Sequence, residues 1–128
     1  MATLTQTQAQ LLIEPNFAVV ATVRANGGPQ STVVWIDWDG ENAVFNTRTV
    51  RAKGGHLERD PRVSIAVWDR NDPYRSLEIQ GRAVLDFEGA DEHIAALAEK
   101  YGRAAYTPGD RVIVRVRPER VHTYGLDE

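Results

Sequence analysis

Apolar and polar residues alternate along most of the chain, and this period of two predicts a mainly β protein. The alternation is clearest over residues 74–85, where polar residues separate the apolar ones: Leu77, Ile79, Ala83 and Leu85. The pattern predicts six strands, three within residues 16–47 and one each over residues 61–68, 74–85 and 111–124. One face of each strand should therefore point into a common core.

Two dipeptides mark tight turns between the first three strands. Asn26-Gly27 and Asp39-Gly40 both tolerate a positive φ, which hairpin turns require. Short connections of this kind join neighbouring strands in an antiparallel arrangement. The strands should therefore form a mostly antiparallel sheet.

Helical patterns occur in two further places. Thr3 or Thr5 can cap a first helix that runs through Leu12 and ends before Pro15. A second set of apolar residues recurs at helical spacing before a terminating glycine: Ile94, Leu97, Ala98, Tyr101 and Gly102. We predict one domain over residues 1–128, a small antiparallel barrel with two or three short helices.

The second predicted strand is apolar on both faces. Its residues alternate between one face (Thr32, Val34, Ile36 and Trp38) and the other (Val33 and Trp35). A strand with two apolar faces is normally covered on both sides. A domain of this size is too small to cover both by itself, so we expect a homodimer.

Composition excludes several classes of function. The net charge of −3 and the sequence pI near 5.6 argue against nucleic acid or an anionic membrane as the main partner. The sequence contains no apolar run near the roughly 18 residues that span a bilayer, and its first residues do not resemble a signal peptide. It has no cysteine, and the spacing of its three histidines fits no metal site. We therefore expect a cytoplasmic protein without a metal.

A basic cluster stands out against this acidic background. Five cations, Arg48, Arg51, Lys53, Arg59 and Arg62, face only two carboxylates between residues 46 and 67, a local charge of +3. Whether residues 51–53 begin a helix or extend, Arg51 and Lys53 can both reach one phosphate group. The alternative is a set of solvated surface cations paired with Glu58 and Asp60.

The motif "NGGPQSTVVWIDWDG…FNT…RAK…L…DPRVSIAV…G", followed by "HTYG", resembles a known family. It is similar to the flavin- and deazaflavin-binding split β-barrel proteins, which include pyridoxamine-phosphate-oxidase-like proteins and the actinobacterial oxidoreductases that use F420. The similarity runs from about Phe17 to Gly125. It implies a six-stranded antiparallel split barrel, and a homodimer with the cofactor site at the subunit interface.

The resemblance also implies roles for particular residues. Arg51 and Lys53 match the pair that holds the cofactor phosphate. The other implied contacts are Asn46 and Thr47 at the ribityl and phosphate region, Gln30, Val33, Val34 and Trp35 beside the ring system, and Tyr74 near the site, supplied by the second subunit. F420 adds an anionic tail, for which Arg48, Arg59, Arg62 and Arg75 are candidate contacts. Gly54-Gly55 departs from the pattern, where helix-forming residues are expected.

These implications define the expected function. We predict an oxidoreductase that passes a hydride from reduced F420 to a small conjugated or unsaturated acceptor. One alternative is an FMN-dependent enzyme of the same fold, such as a pyridoxamine phosphate oxidase. The other is a non-catalytic protein that binds a flavin, a deazaflavin or a tetrapyrrole. The sequence shows no catalytic side chain, which suits chemistry that belongs to the cofactor.

Overall fold

A computed structural model describes residues 2–49, 56–103 and 106–126. Within these ranges the chain forms three helices and seven strands. The helices are α1 (Gln6–Ile13), α2 (His56–Arg59) and α3 (Ala90–Lys100). The strands are β1 (Phe17–Val23), β2 (Pro29–Trp35), β3 (Asp37–Trp38), β4 (Ala43–Arg48), β5 (Arg62–Asp69), β6 (Asp72–Asp86) and β7 (Arg111–Tyr124).

The seven strands form one antiparallel sheet in the order β2-β1-β5-β6-β7-β4-β3. Strands β2 and β3 lie at opposite edges of this sheet, yet only Ile36 separates them in the sequence. The sheet must therefore curl until its two edges meet. This geometry confirms the prediction of a mainly β, antiparallel barrel.

The prediction of six strands is wrong by one, because the second strand divides at Ile36. The Ile36 side chain is fully buried, and its N–H donates to the Tyr101 hydroxyl at 3.0 Å. Its carbonyl accepts a hydrogen bond from Lys100 Nζ at 2.6 Å. Both backbone groups of Ile36 thus pair with side chains at the C-terminal end of α3, so Ile36 makes no ladder hydrogen bonds. At this residue the chain passes from one edge of the sheet to the other, and we call this point the β2–β3 crossover.

Both predicted hairpin turns are confirmed. Gly27 has φ +85° and Gly40 has φ +102°, conformations that favour glycine. Asn26 Oδ1 accepts from the Gly28 N–H at 2.8 Å, and Asp39 Oδ1 accepts from the Asn42 N–H at 2.7 Å. These side-chain contacts fix the turns that set the register of β1 with β2 and of β3 with β4.

The first helix begins with a capping box. Thr5 Oγ1 accepts from the Gln8 N–H, and the Gln8 side chain accepts from the Thr5 N–H. The helix ends at Ile13, one residue beyond the predicted Leu12. Its buried residues, Leu11 and Leu12, join the barrel core.

The inward faces of the strands build that core. Leu77 and Ile79 are fully buried, as the alternation in β6 predicts, and they pack with Ile65, Val114 and Val116. The outer faces are more open. Val33 of β2 has 63% of its surface exposed within one chain, whereas Val34 packs against the core. The outer side of β2 is thus available for contact with another molecule.

Candidate cleft between β2, β4 and α3

A cleft of about 320 Å³ opens where β2, the end of β4, α3 and the segment before β7 meet. Its lining combines apolar, amide, hydroxyl and guanidinium groups: Phe17, Thr32, Val33, Val34, Trp35, Asn46, Thr47, Arg48, Ile94, Leu97, Tyr106, Thr107 and Arg111. The volume is at the small end of ligand sites, which occupy roughly 300–1,000 Å³. The arrangement is that of a binding site with one apolar and one cationic end.

The apolar end is held by aromatic stacking. The Trp35 ring stacks on the Tyr101 ring with centroids 5.5 Å apart and an interplanar angle of 14°. Phe17 packs against the same Tyr101 ring at 5.6 Å with a tilt of 46°. Because Tyr101 supports both side chains, it fixes this wall of the cleft without lining it.

The hydroxyl of Tyr101 fixes the ring in turn. It donates to the Asn16 carbonyl at 2.5 Å and accepts from the Ile36 N–H at 3.0 Å. Burial raises the pKa of Tyr101 to about 12, so the phenol stays protonated and keeps its donor. These hydrogen bonds join the Tyr101 ring to Asn16, just before β1, and to Ile36, just after β2. They therefore fix the position of the Trp35 ring that stacks on Tyr101.

Lys100, the last residue of α3, completes this support. Its ammonium group donates to the carbonyls of Leu12 and Ile36, both at 2.6 Å, and lies 3.4 Å from Asp37 Oδ1. Burial lowers the pKa of Lys100, and the Asp37 carboxylate partly opposes that effect. The Leu12 carbonyl belongs to the last turn of α1, where no helical N–H is available. Lys100 therefore ties α1 and α3 to the β2–β3 crossover.

Asn46 forms the base of the polar end. Its side chain is buried, and Nδ2 donates to the Ala90 carbonyl at 2.9 Å and lies 3.0 Å from His93 Nδ1. An amide nitrogen only donates, so His93 Nδ1 accepts and the imidazole is neutral. Burial, helped by the charge of Arg115, lowers the pKa of His93, in agreement with that state. The side-chain oxygen of Asn46, Oδ1, faces Arg111, whose Nη1 lies 3.5 Å away.

Two arginines stand opposite each other at this end. Arg48 of β4 pairs directly with Arg111 of β7, which places two like charges side by side. Arg111 Nε donates to the Thr107 carbonyl at 2.8 Å. Arg48 Nε is buried and has no hydrogen-bond partner among the described residues. Like charges in direct opposition are unfavourable unless an anion lies between them, so this end of the cleft suits an anionic group.

Six of the residues implied by the resemblance come together here. They are Val33, Val34, Trp35, Asn46, Thr47 and Arg48. Gln30 lies nearer the start of β2 and does not line the cleft. Arg51 and Lys53 lie outside the described residues.

Tyr74 and Arg75 do not line the cleft of their own chain. Tyr74 is 73% exposed near the start of β6, and Arg75 forms an ion pair with Asp69 at 2.7 Å. Their contribution from a second subunit stays a prediction.

Sequence reasoning did not identify several lining residues: Phe17, Thr32, Ile94, Leu97, Tyr106, Thr107 and Arg111. Ile94 and Leu97 are recognisable only as core positions of a helix. Arg111 enters the site because β7 pairs with β4, a contact between segments more than sixty residues apart. The one local feature of the sequence that points to Arg111 is its place as a cation at the start of the last predicted strand.

Metal and membrane signals are both lacking in the described ranges. No group of three or more histidine and acidic side chains is arranged there to bind a metal ion. None of the described helices combines the length and the apolar character needed to span a bilayer.

The curled sheet and its edge cleft define a split β-barrel of the pyridoxamine-phosphate-oxidase-like class. Residues 4–125 match the model of the pyridoxamine 5'-phosphate oxidase family, and the chain belongs to that family. No curated protein is significantly similar to it.

Three solved structures have a fold similar to that of this chain. An F420 reductase shares 31% identity, with a TM-score of 0.83, over 93% of this chain and 98% of the other. HupZ from Group A Streptococcus shares 26% identity, with a TM-score of 0.71 and 94% of each chain covered. HutZ, a heme storage protein from Vibrio cholerae, is 21% identical with a TM-score of 0.67 over 91% of each chain, a likeness of fold alone.

Proposed function

We propose that this protein is an oxidoreductase that uses reduced F420 to reduce a small conjugated or unsaturated acceptor. The observation that carries the proposal is the cleft, which has an aromatic wall at one end and the opposed pair Arg48 and Arg111 at the other. A deazaflavin that carries a phosphate has the matching polarity, with a flat ring system and an anionic side chain. The similarity to an F420 reductase over nearly the whole chain supports the choice.

The residues of this chain would bind and orient the cofactor. Val33 and Trp35 would contact the ring system, while Asn46 and Thr47 would face its polar side chain. Arg48 would offer its buried Nε to an anionic oxygen. Reduced F420, when bound, would supply the hydride, and the side chains of the cleft would orient it toward the acceptor.

Cofactor preference gives the direct test. We expect F420 to bind at least about tenfold more tightly than FMN, a difference of about 1.4 kcal/mol. The tail carboxylates of F420 add contacts with exposed cations, each contributing about 0–1 kcal/mol, so the preference should shrink as salt rises. Paired fluorescence titrations at low and high salt, followed by a screen of acceptors, measure both effects.

Two other outcomes of the titrations and the acceptor screen would contradict the proposal. FMN binding that equals or exceeds F420 binding contradicts the F420 assignment and favours a flavoenzyme of the same fold. Tight F420 binding without turnover of any acceptor contradicts the enzymatic proposal and favours a cofactor carrier.

Replacing Arg48 should separate binding from stability. Arg48→Met removes a cation and a buried donor that has no partner among the described residues. The free energy of unfolding should therefore stay constant or rise, while F420 affinity falls by about 1.5–3 kcal/mol, the contribution of a charged hydrogen bond. Denaturant unfolding and titration measure the two quantities. Arg24→Met, at an exposed cation after β1, is the matched control; equal F420 affinity in both variants would remove Arg48 from the site.

We also propose that the protein is a homodimer that covers the open outer face of β2. Val33 is 63% exposed there and Phe17 of the neighbouring β1 is 36% exposed. A specific interface buries at least about 1,000 Å² in total, and an obligate dimer interface should bury well over that area. Light scattering at micromolar concentration should give twice the chain mass of 14.3 kDa. Val33→Lys should shift it toward monomer, and a wild-type monomer at that concentration would exclude the dimer.

A further inference from the structure

A second cationic groove lies on the outer face of the sheet, between strands β1, β5, β6 and β7. Its volume is about 370 Å³. The polar residues that line it include three arginines and two neutral donors: Arg62, Arg82, Arg120, Ser64 and Gln80. None of these residues lines the cleft between β2, β4 and α3.

Three arginines run across this face in register. Arg62 of β5 pairs directly with Arg82 of β6, and Arg82 pairs directly with Arg117 of β7. We call Arg62, Arg82 and Arg117 the arginine row. Directly paired residues of antiparallel strands project to the same face, and like charges in that position repel one another. All three side chains are exposed.

Few carboxylates offset this charge. Arg62 forms a two-point contact with Asp60, at 2.7 Å for its closest pair of atoms. Among the described residues, neither Arg82 nor Arg117 makes an ion pair. Glu119 is the carboxylate that lines the groove. The row and Arg120 together carry four positive charges against Asp60 and Glu119, a surplus of two in a chain of net charge −3. Arg117 and Asp60 belong to this count as the partners of Arg82 and Arg62 and do not themselves line the groove.

The register also places neutral donors beside the row. Ser64 pairs with Gln80, and Gln80 pairs with Arg120, close to the pairing of Arg62 with Arg82. The sheet has a register shift between Gln80 and Gly81, opposite Glu119, which breaks the regular ladder at the groove. Hydroxyl, amide and guanidinium donors therefore surround one concave surface.

We infer that this groove is a second anion site, separate from the cofactor cleft, that binds a small phosphate-bearing molecule. A phosphate group offers acceptor oxygens in several directions, and its charge of about −1.5 to −2 matches the local surplus. Guanidinium forks from adjacent strands can bind such oxygens in pairs. The groove is too small for a nucleic acid strand to be its main occupant, and the acidic net charge disfavours one.

Pyrophosphate is the probe for this site. The experiment uses the full chain with both clamp residues replaced, Arg51→Ala and Lys53→Ala, so that their predicted contribution to phosphate binding is removed. We expect pyrophosphate to raise the melting temperature above that in sodium chloride of equal ionic strength. In this background Arg82→Gln should weaken pyrophosphate binding at least about tenfold by calorimetry, since a charged hydrogen-bond partner is lost. Without pyrophosphate at low salt, the same variant should melt at a higher temperature because repulsion in the row is relieved.

Two controls separate binding in this groove from binding elsewhere on the protein surface. Arg103→Gln, at an exposed cation after α3, should leave pyrophosphate binding unchanged. Succinate, a dianion with planar carboxylates, should stabilise the protein less than pyrophosphate. The proposal is overturned if the stabilisation disappears in the clamp background, if it persists in Arg82→Gln, or if succinate equals pyrophosphate. It is also overturned if Arg82→Gln converts a dimer to a monomer, which would assign the row to the contact between two copies.

Discussion

Replacing Arg51 and Lys53 together with alanine is expected to abolish tight F420 binding and leave the fold intact. A hydrogen bond to a charged group contributes about 1.5–3 kcal/mol, so each single substitution should weaken affinity by about 10- to 150-fold. The two side chains would share one phosphate, so the double effect should differ from the sum of the single effects. Fluorescence titration of the two single variants and the double variant measures this coupling.

The control for that experiment is Arg24→Ala, which removes an exposed cation from the β1–β2 turn. Its F420 affinity should match that of the parent chain. Thermal unfolding of each variant establishes that the protein is folded. A folded double variant that binds F420 as tightly as the parent would show that the basic cluster is only a solvated surface.

The second large effect is expected at Lys100. Lys100→Met keeps most of the aliphatic stem but removes the donor for the Leu12 and Ile36 carbonyls. A buried carbonyl left without a partner costs about 1–3 kcal/mol, and the one proton of the nearby Tyr101 hydroxyl is already donated to the Asn16 carbonyl. We therefore expect the free energy of unfolding to fall by about 2–4 kcal/mol, measured by urea denaturation.

The neighbouring Glu99 provides the control for the loss of the Lys100 ammonium group. Glu99→Met changes an exposed residue of the same helix turn and should alter the free energy of unfolding by less than about 0.5 kcal/mol. F420 affinity should also fall in Lys100→Met, because the crossover supports the Trp35 wall. Equal stability of the Lys100 and Glu99 variants would mean that water replaces the ammonium group at both carbonyls.

Local sequence patterns were sufficient for most of the fold. The alternation in β6 identified Leu77 and Ile79 as buried, and Asn26-Gly27 identified the first hairpin. The break at Ile36 could not be predicted in the same way. The alternation runs through it without interruption, and the groups that pair with its backbone, on Lys100 and Tyr101, lie 64 and 65 residues away.

The cleft, too, contains residues that local sequence patterns identify and residues that they do not. Trp35 and Asn46 lie on strands that the sequence identifies, and the family resemblance predicts that they contact the cofactor. Arg111 reaches the cleft through the pairing of β7 with β4, and Tyr101 acts on it through the Trp35 ring. Neither relation has a local signature, since each depends on how distant strands and helices pack.

The β2–β3 crossover also implies an order of assembly. Strands β2, β1, β5 and β6 can pair before β7 is present, whereas β3 and β4 would then form only a two-stranded ribbon tethered at Ile36. Such ribbons are marginally stable in water. Strand β7 joins this ribbon to β6, and closing so long a loop is slow compared with forming a hairpin. The cleft would thus be the last part of the molecule to form, after residues 111–116 dock. A nascent chain that ends before them would have its hairpins but an incomplete cleft.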